Sequence, residues 1–239
     1  MVYKIADDSL FPKACMDQIV NLFELGMKME LHSYDHFSFD CEVEQRQSFG
    51  YKAENTDAVP EILNVHPYIL KANGAPRPIL ERRMEWALKL VEEYGIEDII
   101  VSGISSPQGE GSDYDFVKET GGTQGIVMEN WFRGHGFRGN IHRVDEGYNT
   151  FQTLKKVYRE LLPQLGIDHV EEISTFAHLA RIHLQGIQVN EMDRRNIKRS
   201  FSGPRIRDVA QAYEFMMWEL SSVHETLGFT AQSVAVARL

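Results

Sequence analysis

His178 and Arg181, in ISTFAHLAR (173 to 181), stand three positions apart and so occupy neighbouring places on one helical face. Either can hold a phosphate or a carboxylate, and a histidine can also move a proton near neutral pH. Ser174 and Thr175 precede them at the end of an apolar run. A second cluster, SGISSPQGEGSDYD (102 to 115), joins small residues to acids. Ser102, Gly103 and Ser105 let a backbone approach an anion closely, and Ser112 or Asp113 can cap the helix expected next. A third, VDEGYNT (144 to 150), sets Asp145, Glu146, Asn149 and Thr150 ahead of another helix, and a single cap accounts for only one of the four. In this arrangement His178 gives or takes the proton and Arg181 pairs with a negative group. Ser102, Gly103 and the amides after them cradle that group, while Asp113, Asp145 or Glu146 orients His178 or holds a divalent ion. Plain readings stand beside these: a flexible loop, an ordinary cap, a structural histidine. His32 and His36 sit among aromatic and acidic residues that suit a surface turn better than a metal site.

These clusters need elements that bring them together. EILNV (61 to 65), DIIVSG (98 to 103), NIHRV (140 to 144) and HVEEIST (169 to 175) read as strands. The unbroken apolar run in the second suits a strand buried on both faces. Between the first two, Leu80, Met84, Ala87, Leu88 and Val91 mark one side of a helix that Gly95 ends. Helices are expected near 112 to 119, 125 to 133 and 149 to 162, and a helix or turn carries FAHLARIHL. Strands alternating with helices predict an α/β fold, a three-layer sandwich around a mostly parallel sheet. Ligands of such sheets bind beyond the carboxyl ends of the strands, where all three clusters lie.

Residues 1 to 58 form an N-terminal appendage: a helix over 12 to 29 on Met16, Ile19, Val20, Phe23 and Met27, then a loop-rich aromatic and acidic segment. The α/β core spans 59 to 190. Residues 191 to 239 form a C-terminal extension, with a basic, loop-like stretch (MDRRNIKRSFSGPR) and a helix from 205 to about 227 that packs on the core through Val209, Tyr213, Met216 and Leu220.

Composition narrows the partners. With 239 residues, 43% of them hydrophobic, the chain can bury a sizeable core. A net charge of −10, from 25 Lys and Arg against 35 Asp and Glu, provides no broad basic face for nucleic acid. Cys15 and Cys41 make neither a disulfide framework nor a four-ligand zinc site, so a reducing compartment is expected. Two acids interrupt the N-terminus where a secretory signal is apolar, and no run reaches the length of a membrane span. A cytoplasmic protein with a small-molecule ligand and no membrane contact is the expectation.

The chain resembles the ElyC/SanA/YdcF proteins of bacteria over about residues 61 to 185. The matching features are Arg83 with Ala87 and Leu90, Val101-Ser102-Gly103, Ser112-Asp113, Asn149-Thr150, and Ile173-Ser174-Thr175 followed by His178 and Arg181. It departs from them in placing His66-Pro67-Tyr68 where a glycine-rich turn follows the first strand. The resemblance implies a Rossmann-like fold with a polar cleft that includes Arg83, and a nucleotide-like ligand such as S-adenosylmethionine.

Three functions are compatible with these residues. The first is an enzyme, a transferase or hydrolase, or a binding domain for an anionic or nucleotide-like molecule. The second is a magnesium-dependent nucleotidyltransferase, in which Asp113 and Asp115 hold the metal about ten residues after Ser102-Gly103. The third is a non-catalytic interaction domain using the segment 30 to 58.

Overall fold

The computed structural model describes residues 59–71, 73–103, 122–146, 149–175 and 197–204, with residues 178, 179, 181, 182, 185, 186 and 189 besides. Five strands form one sheet: β1 (Ile62–Val65), β2 (Asp98–Ser102), β3 (Asn140–Val144), β4 (His169–Ile173) and β5 (Lys198–Ser202). Their order is β3-β2-β1-β4-β5 and every pairing is parallel. β1 to β4 stand where the sequence pattern predicted strands. β5 corrects the loop-like reading of the basic stretch and carries the sheet past residue 190. Its Lys198, Arg199 and Ser200 look like solvated chain, yet Arg199 and Phe201 are buried against β4.

Side chains alternate between the two faces of each strand. On one face Leu63, Val65, Ile99, Val101 and Ile173 form a core with helix α1 (Pro78–Tyr94) and helix α2 (Gln124–Gly134), through Leu80, Met84, Ala87, Leu90, Met128 and Phe132. Pro78 starts α1, where its missing N–H costs nothing, and Gly95 closes it at φ 67, with its N–H on Val91 O. The buried stripe of α1 is rotated from the expected one. Arg83, Trp86 and Leu90 are buried, whereas Leu88 and Val91 are half-buried. Trp86 can turn inward because its indole Nε1 donates to Ser202 Oγ at 2.9 Å.

The opposite face carries Asn64 and Glu172 and is covered by helix α3 (Thr150–Lys156), a π-turn (Val157–Leu161) and helix α4 (Leu162–Leu165). Pro163 has no N–H to give the carbonyl of Arg159, and the widened turn directly precedes it. That widening sets Tyr158, fully buried, over Glu172. With helices on both faces the sheet is the middle of three layers, an α/β architecture of Rossmann-like kind. Among the described residues no helix is long and apolar enough to cross a membrane. The helices expected at 12 to 29, 112 to 119 and 205 to 227, and the segment 30 to 58, lie outside the described residues.

Candidate functional site

From β1 the chain builds the sheet outward through β2 and β3, then returns to place β4 on the other side of β1. The connections leaving β1 and β4 diverge, and the crevice between them is where open parallel sheets bind ligands. Val65 of β1 pairs with Val101 of β2 and with Ile173 of β4. One residue on, the same register sets Ser102, His66 and Ser174 in a row along the crevice.

His178 lies above this row. Its Nδ1 meets Ser174 Oγ at 2.8 Å and its Nε2 meets Thr150 Oγ1 at 3.2 Å. A hydroxyl donates or accepts as required, so both ring nitrogens are satisfied in either neutral tautomer. Burial pushes the His178 pKa well below 6.5, and the charges of Arg181, Arg83 and His66 lower it further. The ring is therefore neutral at neutral pH and able to accept a proton.

Beneath it lies a second polar group. Glu172 Oε2 accepts from Asn64 Nδ2 at 2.8 Å and from His66 Nε2 at 2.5 Å, while Glu172 Oε1 accepts from the Tyr158 hydroxyl at 2.5 Å. Asn64, His66, Glu172 and Tyr158 are all buried. A carboxylate removed from water is tolerated when donors surround it in this way. Tyr158 keeps its proton, since burial first, and then the Glu172 charge, raise its pKa well above 10. The His66 ring meets the His178 ring edge-on, centroids 5.6 Å apart.

Arg83 fastens the crevice wall. It donates to the carbonyls of His66 (3.0 Å) and Pro67 (2.7 Å) and to Thr175 Oγ1 (3.0 Å), tying the end of β1 to the end of β4. Arg181 is half-buried on the helical chain after β4. Ser102 Oγ is buried at the end of β2 with no hydrogen-bond partner among the described residues.

Other expected site residues take ordinary roles. Gly103 does not offer its amide to an anion, because that N–H donates to Val144 O at 3.1 Å. At φ +123, a Cβ here would stand 2.4 Å from Gln124 Oε1 and 2.8 Å from Pro67, so glycine is required by packing between the segment after β1 and the start of α2. Asp145 does not orient His178. Its carboxylate accepts from Thr123 Oγ1 and Arg143 Nε, both at 2.6 Å, on the α2 side of the sheet. Glu146 is exposed and pairs with Lys156 at 2.9 Å. Asn149 caps α3 by accepting from Gln152 N at 2.9 Å. Ser105, Ser112, Asp113 and Asp115 lie outside the described residues. Among the described residues no group of three or more His, Cys, Asp or Glu is placed to hold a metal ion.

The structure also adds Asn64, His66, Tyr158 and Glu172, none of which sequence reasoning singled out for the site. One signal was available: Glu171 and Glu172 are adjacent acids in a strand expected to be buried, and a buried charge calls for partners, which Glu172 finds in Asn64, His66 and Tyr158.

The fold and crevice define an α/β protein with a parallel, Rossmann-like sheet. Comparison with known proteins finds no matching family model, no matching curated protein and no matching solved structure.

Proposed function

We propose that the chain binds a small anionic or nucleotide-like molecule in the crevice between β1 and β4, and that His178 exchanges a proton with it, as in a transferase or hydrolase of the ElyC/SanA/YdcF kind. The observation that carries this reading is the His178 ring, neutral and held by two hydroxyls beside Arg181 at the point where the strand order reverses. A neutral imidazole among basic residues is poised to take a proton, and an incoming anion offsets the positive charge around it. The buried Ser102 hydroxyl, without a hydrogen-bond partner among the described residues, supplies a further donor at the same strand ends. Arg83, Thr150, Ser174, Thr175 and His178, which carry much of the resemblance to those proteins, interact around this one crevice. Phosphorylated metabolites and S-adenosylmethionine are the candidate ligands.

A thermal-shift screen of inorganic phosphate, ATP, sugar phosphates and S-adenosylmethionine, with and without magnesium, tests the proposal. At least one of them should stabilise the protein. Arg181→Ala removes one charge-assisted hydrogen bond, worth ~1.5–3 kcal/mol, and should weaken that compound by roughly ten- to a hundredfold in calorimetric titration. His178→Ala should spare most of the affinity and abolish turnover. Unchanged affinity in Arg181→Ala would remove the anion role.

A further inference from the structure

We propose that Thr150 is the nucleophile of the crevice, taking a phosphoryl group from a phosphate monoester while His178 removes its proton. This inference rests on reading His178 as the proton-exchanging group and the ligand as an anion. It adds the reacting atom and narrows the ligand to one class.

His178 is held between two hydroxyls that differ in access. Ser174 Oγ lies 2.8 Å from Nδ1 on a residue with no exposed surface, whereas Thr150 Oγ1 lies 3.2 Å from Nε2 on a half-buried residue. Thr150 is therefore the hydroxyl a substrate can reach, and Ser174 fixes the ring from its other nitrogen. A hydroxyl, a base in contact with it and a third group that orients the base make up an activated nucleophile. The helix does not need the Thr150 hydroxyl. Asn149 caps α3 through Gln152 N, and among the described residues Thr150 Oγ1 meets only His178.

Charge gives the class of substrate. A carboxylate that pairs with arginine resists attack by a hydroxyl, whereas a phosphoryl group keeps its negative charge and still offers phosphorus as the electrophile. Arg181 and Arg83, whose charges act on His178, favour such a group beside it. Thr150 Oγ1 gives its proton to His178 Nε2 and bonds to phosphorus as the bond from phosphorus to the ester oxygen breaks. The ester oxygen leaves as an alcohol with the proton from His178. Water then attacks phosphorus, its proton passes through His178 to Thr150 Oγ1, and inorganic phosphate departs.

The probe is para-nitrophenyl phosphate. Wild-type protein quenched in acid during turnover should carry one phosphoryl group on Thr150 by peptide mass spectrometry. The label should persist in Thr150→Ser. It should vanish in Thr150→Val, with nitrophenolate release reduced on the order of a hundredfold or more. No phosphoryl group on Thr150, or undiminished release by Thr150→Val, would overturn the proposal, even where inorganic phosphate stabilises the protein and the anion reading stands. Should Thr150→Val fail to fold, the unaltered protein decides through the tautomer of His178, read from its ring nitrogens by NMR. Nδ1 should carry the proton and donate to Ser174, which leaves Nε2 to accept from Thr150. A proton on Nε2 of the neutral ring would equally overturn it.

Discussion

His178 illustrates how a residue's chemistry follows from what surrounds it. The same imidazole in water would be part-charged near neutrality, but here burial and neighbouring basic groups hold it neutral. That has a consequence for stability. Below 6.5 the unfolded chain gains a proton at this position that the folded chain refuses, so folding is penalised as the pH falls. The contribution is complete above pH 6.5 and is lost progressively on the acid side of it. Urea midpoints measured at pH 7.5 and pH 5.5 should fall more for the wild-type chain than for His178→Gln, which has no such proton to exclude. Equal losses in the two proteins would show that His178 is not the group responsible. Arg181 was legible as a basic residue past a strand end and Arg83 only through the family resemblance, and the role of Arg83 was not legible at all. Only the folded chain shows Arg83 holding the backbone together, with partners at positions 66, 67 and 175.

At the scale of elements, apolar runs announced β1 and β2, because strands buried on both faces admit few polar residues, whereas NIHRV and HVEEI were legible from the alternation of strands with helices. β5 escaped notice because KRSFS joins a sheet through backbone pairing while its side chains read as solvated chain. Its close approach to β4 explains Gly203, where a Cβ would stand 1.5 Å from the carbonyl oxygen of Ser174. Backbone on both sides cannot yield as a flexible side chain can. Gly203→Ala should therefore destabilise the fold by at least the ~1–3 kcal/mol usual for overpacking, read from denaturant unfolding. It should also disturb the His178 ring, whose Nδ1 partner is the Ser174 side chain. A variant of wild-type stability would show that β5 can separate from β4 at no cost. The Glu172 cluster was illegible for a different reason. Its members at 64, 66, 158 and 172 come from β1, the segment after it, the π-turn and β4, and only sheet register and the widened turn bring them together.

For the whole molecule, a net charge of −10 repels anions at long range. Capture of an anionic ligand must then depend on short-range donors in a confined place, and the reversal of strand order at β1 supplies such a place. A negative group bound there would face His178 together with Arg181, and it would favour the imidazolium that burial and the neighbouring basic groups disfavour. Binding and proton uptake are thus one event in this account. The most direct measurement is the pH titration of the His178 ring by NMR, alone and with saturating ATP, inorganic phosphate or S-adenosylmethionine. At least one of these should raise the His178 midpoint, and Arg181→Ala should diminish the effect by weakening the ligand. A His178 ring whose resonance and midpoint ignore every one of them would contradict the claim that this crevice binds an anion.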